Sequence, residues 1–433
     1  MTTSPADIAV IGAGPAGLAA AAAARGRGAR VALLDSAGRP GGQYWRHRDG
    51  HNPIPASLRQ DILAGHAVWH VEVEADGFVL HTTAGEVRAR TVIVATGAYD
   101  RQLPFPGWTL PGVFTAGGAQ AMLKGHGVPV GDRVVVAGTG PFLLPVAAAL
   151  RHRVTGVFEA GSPLGFARHP LAVARNPGKL VEGARYLRAL HGHRIPFHTR
   201  TAVVAAHGDD RVHAVTVARL DRNRRPVSER EIECDAVAVG YGFTPQLELP
   251  LQLGCDTRLD ADGSLVATAD EWQRASVPGV YLAGEVCGVG GAQLSVVEGA
   301  IAGAHAAGAR PRRSLLRKRA ALRAFAAAMH DTYRVGAGRP ADDTIVCRCE
   351  EVTVREVRES VVDLGATDPR GVKLLARPGM GLCQGRVCGY ATACLVAEAC
   401  GRPVTAADLR GLAARPIAAP VTLGNLAEGV EDA

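Results

Sequence analysis

Short apolar runs that end in glycine recur along the chain, and stretches of small, helix-forming residues follow them. The first run, Ile8-Ala9-Val10-Ile11, enters Gly12. Leu18 to Ala24 is composed of good helix formers, and a second run, Val31-Ala32-Leu33-Leu34, ends on Asp35. That order predicts a strand–helix–strand unit. Parts of the stretch from Val68 to Val87 alternate as a half-buried strand does, and Thr91-Val92-Ile93-Val94-Ala95-Thr96-Gly97 is another apolar strand that closes on a glycine turn. The Pro-rich segment Pro104-Phe105-Pro106-Gly107-Trp108 then marks a crossing between domains. The pattern restarts at Val134-Val135-Val136-Ala137-Gly138, with a partner strand from Val154 to Phe158 that ends in Glu159. Cys234 to Gly240 reads as a strand returning to the first domain. Val280-Tyr281-Leu282 is one more, followed by a glycine-rich turn and a helix of small residues to about Ala306.

The glycines and acids at the ends of these strands suit dinucleotide chemistry. In Gly12-Ala13-Gly14-Pro15-Ala16-Gly17, Gly12 permits the tight turn, Gly14 lets a pyrophosphate approach the backbone at a helix N-terminus, and Gly17 lets helix and strand pack closely. Asp35, with Ser36 beside it, accepts ribose hydroxyls. In Gly38 to Gln43, the pair Gly41-Gly42 lets backbone amides approach a cofactor and Gln43 adds a neutral donor and acceptor; a plain surface turn is the alternative. The second unit keeps Gly138 and Gly140 but has Leu143 where a third glycine belongs, which pushes the helix outward and alters the phosphate pocket. Pro145 is tolerable there only within a first helical turn. If this unit binds anything, Glu159 favours NAD or an adenine nucleotide over NADP, because it repels a 2′-phosphate. Gly284-Glu285, with Gln293 at the following helix start, places a carboxylate and a helix dipole together. The first suits ribityl hydroxyls and the second a reduced flavin's negative charge.

At 433 residues the chain exceeds one ordinary core, and about two to four domains is the expectation. The 47% apolar and 21% charged fractions are those of a soluble globular protein, and no apolar run approaches a membrane span. A first strand beginning by Ile8 leaves no room for a signal peptide, so a cytoplasmic location is expected. Much of the net charge of +7 lies in Arg310, Arg312, Arg313, Arg317, Lys318, Arg319 and Arg323. These residues read as a solvent-facing helix or linker, or as a dock for an acidic partner. Few aromatics and no reading module argue against nucleic acid.

Four of the nine cysteines crowd into two tight pairs, Cys347-Arg348-Cys349 and Cys383-Gln384-Gly385-Arg386-Val387-Cys388, with two helical patterns between them. Four thiolates so arranged suit a cluster or a metal. Zinc ribbons more often use wider pairs at both ends, and a C-x-C pair suits an iron–sulfur cluster at least as well; zinc or unliganded thiols are the alternatives. Cys287, Cys394 and Cys400 read as core thiols. His126, His169 and His305 are isolated, no substrate base is evident, and Arg101 is the nearest candidate for gripping a substrate carboxylate.

Gly12 to Gly17, Ala95-Thr96-Gly97 and Ala283-Gly284-Glu285 resemble the FAD-binding stations of two-dinucleotide-domain flavoproteins, the group of thioredoxin reductases and pyridine nucleotide-disulfide oxidoreductases. The usual last station has Asp in place of Glu285, and no redox CxxC lies in the nucleotide-binding domains. The tail, with Gly379-Met380-Gly381-Leu382-Cys383, resembles the bacterioferritin-associated ferredoxin type of [2Fe–2S] domain. Together with Tyr99-Asp100-Arg101 and Phe105-Pro106-Gly107-Trp108, the chain from Ile8 to about Leu426 is similar to the α-type subunits of opine oxidases, hydroxyproline dehydrogenases and hydrogen cyanide synthase.

That resemblance implies an α/β fold of two Rossmann-like dinucleotide-binding domains plus a small C-terminal α-rich iron–sulfur domain. Residues 1–107 and 236–308 would form the FAD domain, 108–235 the inserted second domain, 309–342 a basic helical linker, and 343–433 the cluster domain and tail. It further implies FAD, a [2Fe–2S] cluster on Cys347, Cys349, Cys383 and Cys388, a partner flavin subunit of the D-amino-acid-oxidase type, and a downstream electron acceptor. Two other classes stay open: a self-sufficient NADH-dependent reductase, and a redox or zinc-bound interaction module without turnover.

Overall fold

The computed structural model describes residues 5–59, 62–334 and 340–428. Its first sheet has the strand order Leu63–Ala64, Val31–Asp35, Ala6–Ile11, Gly85–Val94, Gly77–Thr82, Val68–Glu74. Gly85–Val94 serves two neighbourhoods. Its first half closes an antiparallel meander with Gly77–Thr82, while its second half runs parallel to both Ala6–Ile11 and Val280–Leu282. The strands at the centre are apolar on both faces because helices cover one side and the meander the other. Helices Pro15–Arg25 and Ala292–Ala306 cross in backbone contact on this sheet. A Cβ at Gly299 would lie 2.0 Å from the Ala16 carbonyl oxygen, and one at Gly303 2.0 Å from that of Ala20.

The second sheet is wholly parallel, in the order Phe197–Thr199, Val154–Glu159, Val134–Gly138, Ala236–Gly240, Val113–Thr115. An antiparallel three-stranded sheet, Thr201–His207, Ala214–Leu220 and Pro226–Glu233, caps it. Ala236–Gly240 therefore does not return to the first domain as its sequence suggests. It is fully buried between Val134–Gly138 and Val113–Thr115, and the second module extends at least to Gly240. An apolar run alone does not say which of two parallel sheets it enters. The short pair Phe243–Pro245 and Ala98–Asp100 joins the modules beyond that point. Pro145 falls in the first turn of helix Leu143–Ala149, where it is harmless.

The basic stretch also departs from a simple linker. Helix Arg313–Thr332 packs on helix Ala292–Ala306 and reaches the second module, where Phe325 stacks on Phe166 at 5.5 Å. Arg319 and Arg323 both pair with Glu298, a fully buried carboxylate, and Arg323 does so through two nitrogens at 2.8 and 2.9 Å. Part of the positive charge is thus neutralised inside the molecule.

The C-terminal module is a short antiparallel pair, Ile345–Cys347 with Val352–Thr353, and helices Val354–Val362, Pro369–Ala376 and Gly389–Ala399 around an apolar core of their own, while helix Ala406–Ala413 sends Leu409 and Leu412 into the core of the first module. Thr353 and Glu356 form a reciprocal capping box at the first of these helices. The segment after Ala413 lies back on the first sheet, where Ala418 N–H donates to the Trp69 carbonyl at 2.7 Å. No helix among the described residues is long and apolar enough to cross a membrane.

Candidate functional site

All three glycine stations lie at the carboxyl ends of neighbouring parallel strands of the first sheet, the place where open α/β sheets bind ligands. Gly12 and Gly17 are closed in by protein: a Cβ at Gly12 would sit 2.5 Å from the Ala95 carbonyl oxygen, and one at Gly17 1.7 Å from that of Gly12. Gly14 differs, since a Cβ there would meet only the Gly42 Cα, at 3.9 Å. The turn carrying Gly42 and Gln43 folds onto the loop, with Gly41 N–H donating to the Ala13 carbonyl at 2.8 Å. Asp35 accepts from the Ala13 and Ala37 amides at 2.6 and 2.8 Å and keeps part of its surface open. Ser36, Gln43 and Gln293 are exposed at the rim, while Pro15 and Ala16 open the first helix.

Thr96 donates through its hydroxyl to the Gln246 carbonyl at 3.1 Å, and Gln246 N–H donates to the Gly97 carbonyl at 3.0 Å. Gly284 lies against Ala16, and its N–H donates to Glu298 at 3.2 Å, so the ion pairs with Arg319 and Arg323 also fix this station. Glu285 follows in the same turn. Burial pushes its carboxyl above the usual range, against the opposing hydrogen bond from Gly291 N–H. The open space at Gly14, the backbone turn at Gly42 and the carboxylates at either end fit a dinucleotide of FAD's kind.

The second module repeats this loop with a different outcome. Glu159 grips the Gly140 and Gly161 amides at 2.8 and 2.6 Å, as Asp35 grips its own loop. Yet Glu159 is only 2% exposed, whereas Asp35 is only partly buried. A Cβ at Gly161 would lie 3.0 Å from both Glu159 Oε1 and Tyr333 Cδ1, so the end of the basic helix stands beside the acid. Gly138 is pressed against Gly240, and Leu143 is buried against the same glycine.

Burial raises the Glu159 carboxyl to about 7 from an ordinary 4.5. A carboxyl whose folded pKa is raised contributes stability at low pH, which fades as pH rises from 4.5 through about 7. At 1.36 kcal/mol per unit the loss is about 3 kcal/mol. Denaturant unfolding of wild type and Glu159→Gln should therefore converge or cross between pH 5 and 8, the variant gaining relative to wild type as pH rises. A constant difference would contradict the buried acid.

Four thiols converge in the C-terminal module. Cys388 hydrogen-bonds to both Cys347 and Cys383, and Cys383 also to Cys349. Gly379 N–H donates to Cys347 Sγ at 3.5 Å. The surrounding glycines make a cradle that side chains would fill: a Cβ at Gly381 would lie 2.2 Å from Cys349 Cβ, and one at Gly379 3.3 Å from Gly385 Cα. Hydrogen bonds from Cys388 and nearby amides lower Cys347 and Cys383, while Cys388 and Cys349 are pushed up in return. The thiolate is the form of cysteine that binds iron, and the shared contacts of the four sulfurs favour it at Cys347 and Cys383. Cys287 is buried and raised to about 12, as a core thiol should be. Cys394 and Cys400 are partly buried, with Cys400 packed at the edge of the C-terminal core.

Tyr99, Asp100 and Arg101 form the junction of all three modules. On a strand, residues two apart share a face. Tyr99 and Arg101 turn toward the C-terminal module, and Asp100 turns the other way to accept from the Thr115 hydroxyl at 2.7 Å at the start of helix Ala116–His126. The Tyr99 hydroxyl donates to Glu248 at 3.1 Å and accepts from Arg386 Nε at 2.9 Å. Arg101 is the nearest sequence candidate for gripping a substrate carboxylate. It is wholly buried, paired with Asp262 at 2.8 Å and Ser264, and stacked 4.2 Å from the Tyr390 ring. Trp108, in the expected crossing segment, donates to the Ile345 carbonyl at 2.6 Å, two residues before Cys347. His169 and His305 are not isolated: His169 pairs with Asp331 at 2.8 Å and His305 with the Tyr281 hydroxyl at 2.9 Å, while His126 is exposed. Glu248 and Asp262 escaped sequence reading because their partners lie 138 and 161 positions away (386 − 248 and 262 − 101).

A two-Rossmann flavoprotein fold joined to a four-thiol module defines an FAD-dependent oxidoreductase that also holds a [2Fe–2S] cluster. The chain belongs to the pyridine nucleotide-disulphide oxidoreductase family, whose model matches residues 6–310, and residues 345–398 match the BFD-like [2Fe-2S] binding domain. It is 37% identical to hydrogen cyanide synthase subunit HcnB of Pseudomonas aeruginosa, over 88% of this chain and 90% of that one. It is 34% identical to an opine oxidase subunit of Rhizobium meliloti, over 98% and 99%. The fold matches the crystal structure of L-proline dehydrogenase from P. horikoshii with a TM-score of 0.70, at 23% identity, covering 98% of this chain and 79% of that one.

Proposed function

We propose that this chain is the electron-transferring subunit of a heteromeric dehydrogenase that acts on an amino acid or amine of the opine, hydroxyproline or glycine type. FAD would rest on Gly12 to Gly17, Asp35, Gly42, Thr96-Gly97 and Gly284-Glu285, and the cluster on Cys347, Cys349, Cys383 and Cys388. When bound, FAD accepts two electrons together and releases them singly, while a [2Fe–2S] centre carries one at a time. The observation that carries the reading is the fate of Arg101: the nearest sequence candidate for a substrate carboxylate is sealed into the junction between the two cofactor modules. The relatives named as subunits support a partner, and a second flavin subunit of the D-amino-acid-oxidase type would carry the substrate chemistry. A separate acceptor would take the electrons onward.

Dye reduction with opines, D-hydroxyproline, proline, sarcosine and glycine tests this. The isolated chain should be silent, and a complex co-expressed with the partner flavin subunit should turn over at least one of them. Turnover by the isolated chain would show that it carries its own substrate site. Silence of both preparations would count against the proposed partner and substrate class.

A further inference from the structure

Arg386 lies inside the loop between Cys383 and Cys388, and its guanidinium turns away from solvent toward the FAD-binding half of the molecule. Arg386 Nε stands 2.8 Å from Glu248 Oε1 and 2.9 Å from the Tyr99 hydroxyl. Its other nitrogens reach the Cys383 carbonyl at 3.4 Å and the Ala418 carbonyl at 2.6 Å. Arg415 meets the same Glu248 oxygen at 3.0 Å and holds the Gln384 carbonyl within the cysteine loop. The three charged side chains are 14%, 7% and 10% exposed for Arg386, Glu248 and Arg415. Both rungs begin next to an FAD station. Tyr99 stands on the strand that continues from Thr96-Gly97, and Glu248 opens the helix two residues after Gln246, the residue hydrogen-bonded to Thr96 and Gly97.

Two guanidiniums against one carboxylate leave a net positive charge, largely shielded from water, beside the cysteine loop. Arginine does not lose its proton in proteins, so that charge is permanent. At low local dielectric such a charge favours an added electron nearby, and charge and hydrogen bonding around the sulfurs are the levers that set a cluster's potential.

We propose that Arg386 is a positioning residue of electron transfer: it raises the reduction potential of the cluster held by the adjacent cysteines and, through Tyr99 and Glu248, holds their loop in register with the FAD-binding strand. This rests on the four cysteines being the cluster's ligands. The two partners then act with opposite signs. Arg386→Gln removes a positive charge and lowers the potential, whereas Glu248→Gln removes the compensating negative charge and raises it. A purely structural role for the pair would loosen the loop in both variants and move both potentials the same way.

The test is a redox titration of the cluster, followed by electron paramagnetic resonance, in the full chain purified anaerobically with iron, sulfide and FAD quantified. Arg386→Gln should fall and Glu248→Gln rise by about tenfold each in the reduction equilibrium, ~59 mV for one electron. Arg386→Lys should stay near wild type, because the charge is kept. Tyr99→Phe should also stay near wild type in potential while hydrogen exchange of the 383–388 loop becomes faster. Shifts of both charge variants in one direction, or no shift with the cluster intact, would overturn the proposal. If Arg386→Gln fails to hold iron, Glu248→Gln against wild type still reads the sign, and an unchanged or lower potential there overturns it as well. Absence of iron and sulfide from wild type would instead sink the ligand reading on which the proposal stands.

Discussion

Gly14→Val is expected to yield a folded protein that purifies without flavin colour. The three glycines of the first loop are not equivalent. Gly12 and Gly17 are pressed against backbone oxygens at 2.5 and 1.7 Å from where a Cβ would stand, so substitution there disturbs the fold itself. At Gly14 the protein leaves the space open, with only the Gly42 Cα at 3.9 Å. Its φ of −77° suits any L residue, so valine adds no left-handed strain. What a valine side chain takes there is the room in which a pyrophosphate would meet the start of helix Pro15–Arg25. A loss of at least about a hundredfold in FAD affinity, ~3 kcal/mol, is expected. Flavin released on denaturation, compared with far-ultraviolet circular dichroism, checks it. Full flavin content in a folded variant would remove the FAD assignment from this loop.

Cys383→Ser is expected to lose nearly all iron and sulfide and to keep FAD. Cys383 occupies the middle of the thiol array, hydrogen-bonded to Cys388 and Cys349, and amides of Gly385 and Val387 favour its thiolate. A serine hydroxyl offers no comparable anion at neutral pH. The module has its own apolar core, built on residues such as Val346, Val357, Val372 and Val396, so the fault should stay local. Metal and acid-labile sulfide analysis beside the flavin spectrum reads both cofactors in one sample. Stoichiometric zinc in anaerobically purified wild type would reject the cluster.

Local chemistry made much of this legible in the sequence. The glycine loop from Gly12 to Gly17, the strand end at Asp35 and the two cysteine pairs each carry their signal within a few residues, because turn sterics and ligand bite are short-range. Leu143 in place of a glycine was equally local, and the fold buries it against Gly240. What escaped was long-range. Nothing near Glu298 says that Arg319 and Arg323 will be drawn onto it, and nothing in Ala236–Gly240 distinguishes one parallel sheet from another. Arg101 shows the limit most clearly. As a residue type it suits a substrate carboxylate, and only the fold brings Asp262, Ser264 and Tyr390 around it. Burial of Glu159 was equally invisible, since the acid stands at the same strand-end position as Asp35 and differs only in what covers it.

The proposed function requires that this chain pass electrons between FAD and the cluster and not take them from NADH. The direct test is the visible spectrum of the purified, anaerobic wild-type chain before and after one equivalent of NADH, with iron and sulfide measured on the same sample. Flavin and cluster bands should both be present and should change slowly or not at all, because Leu143 and the sealed Glu159 leave the second loop poorly suited to a nicotinamide nucleotide. Rapid stoichiometric bleaching of the flavin by NADH would make the chain a self-sufficient reductase instead, and a colourless protein would reduce it to an interaction module.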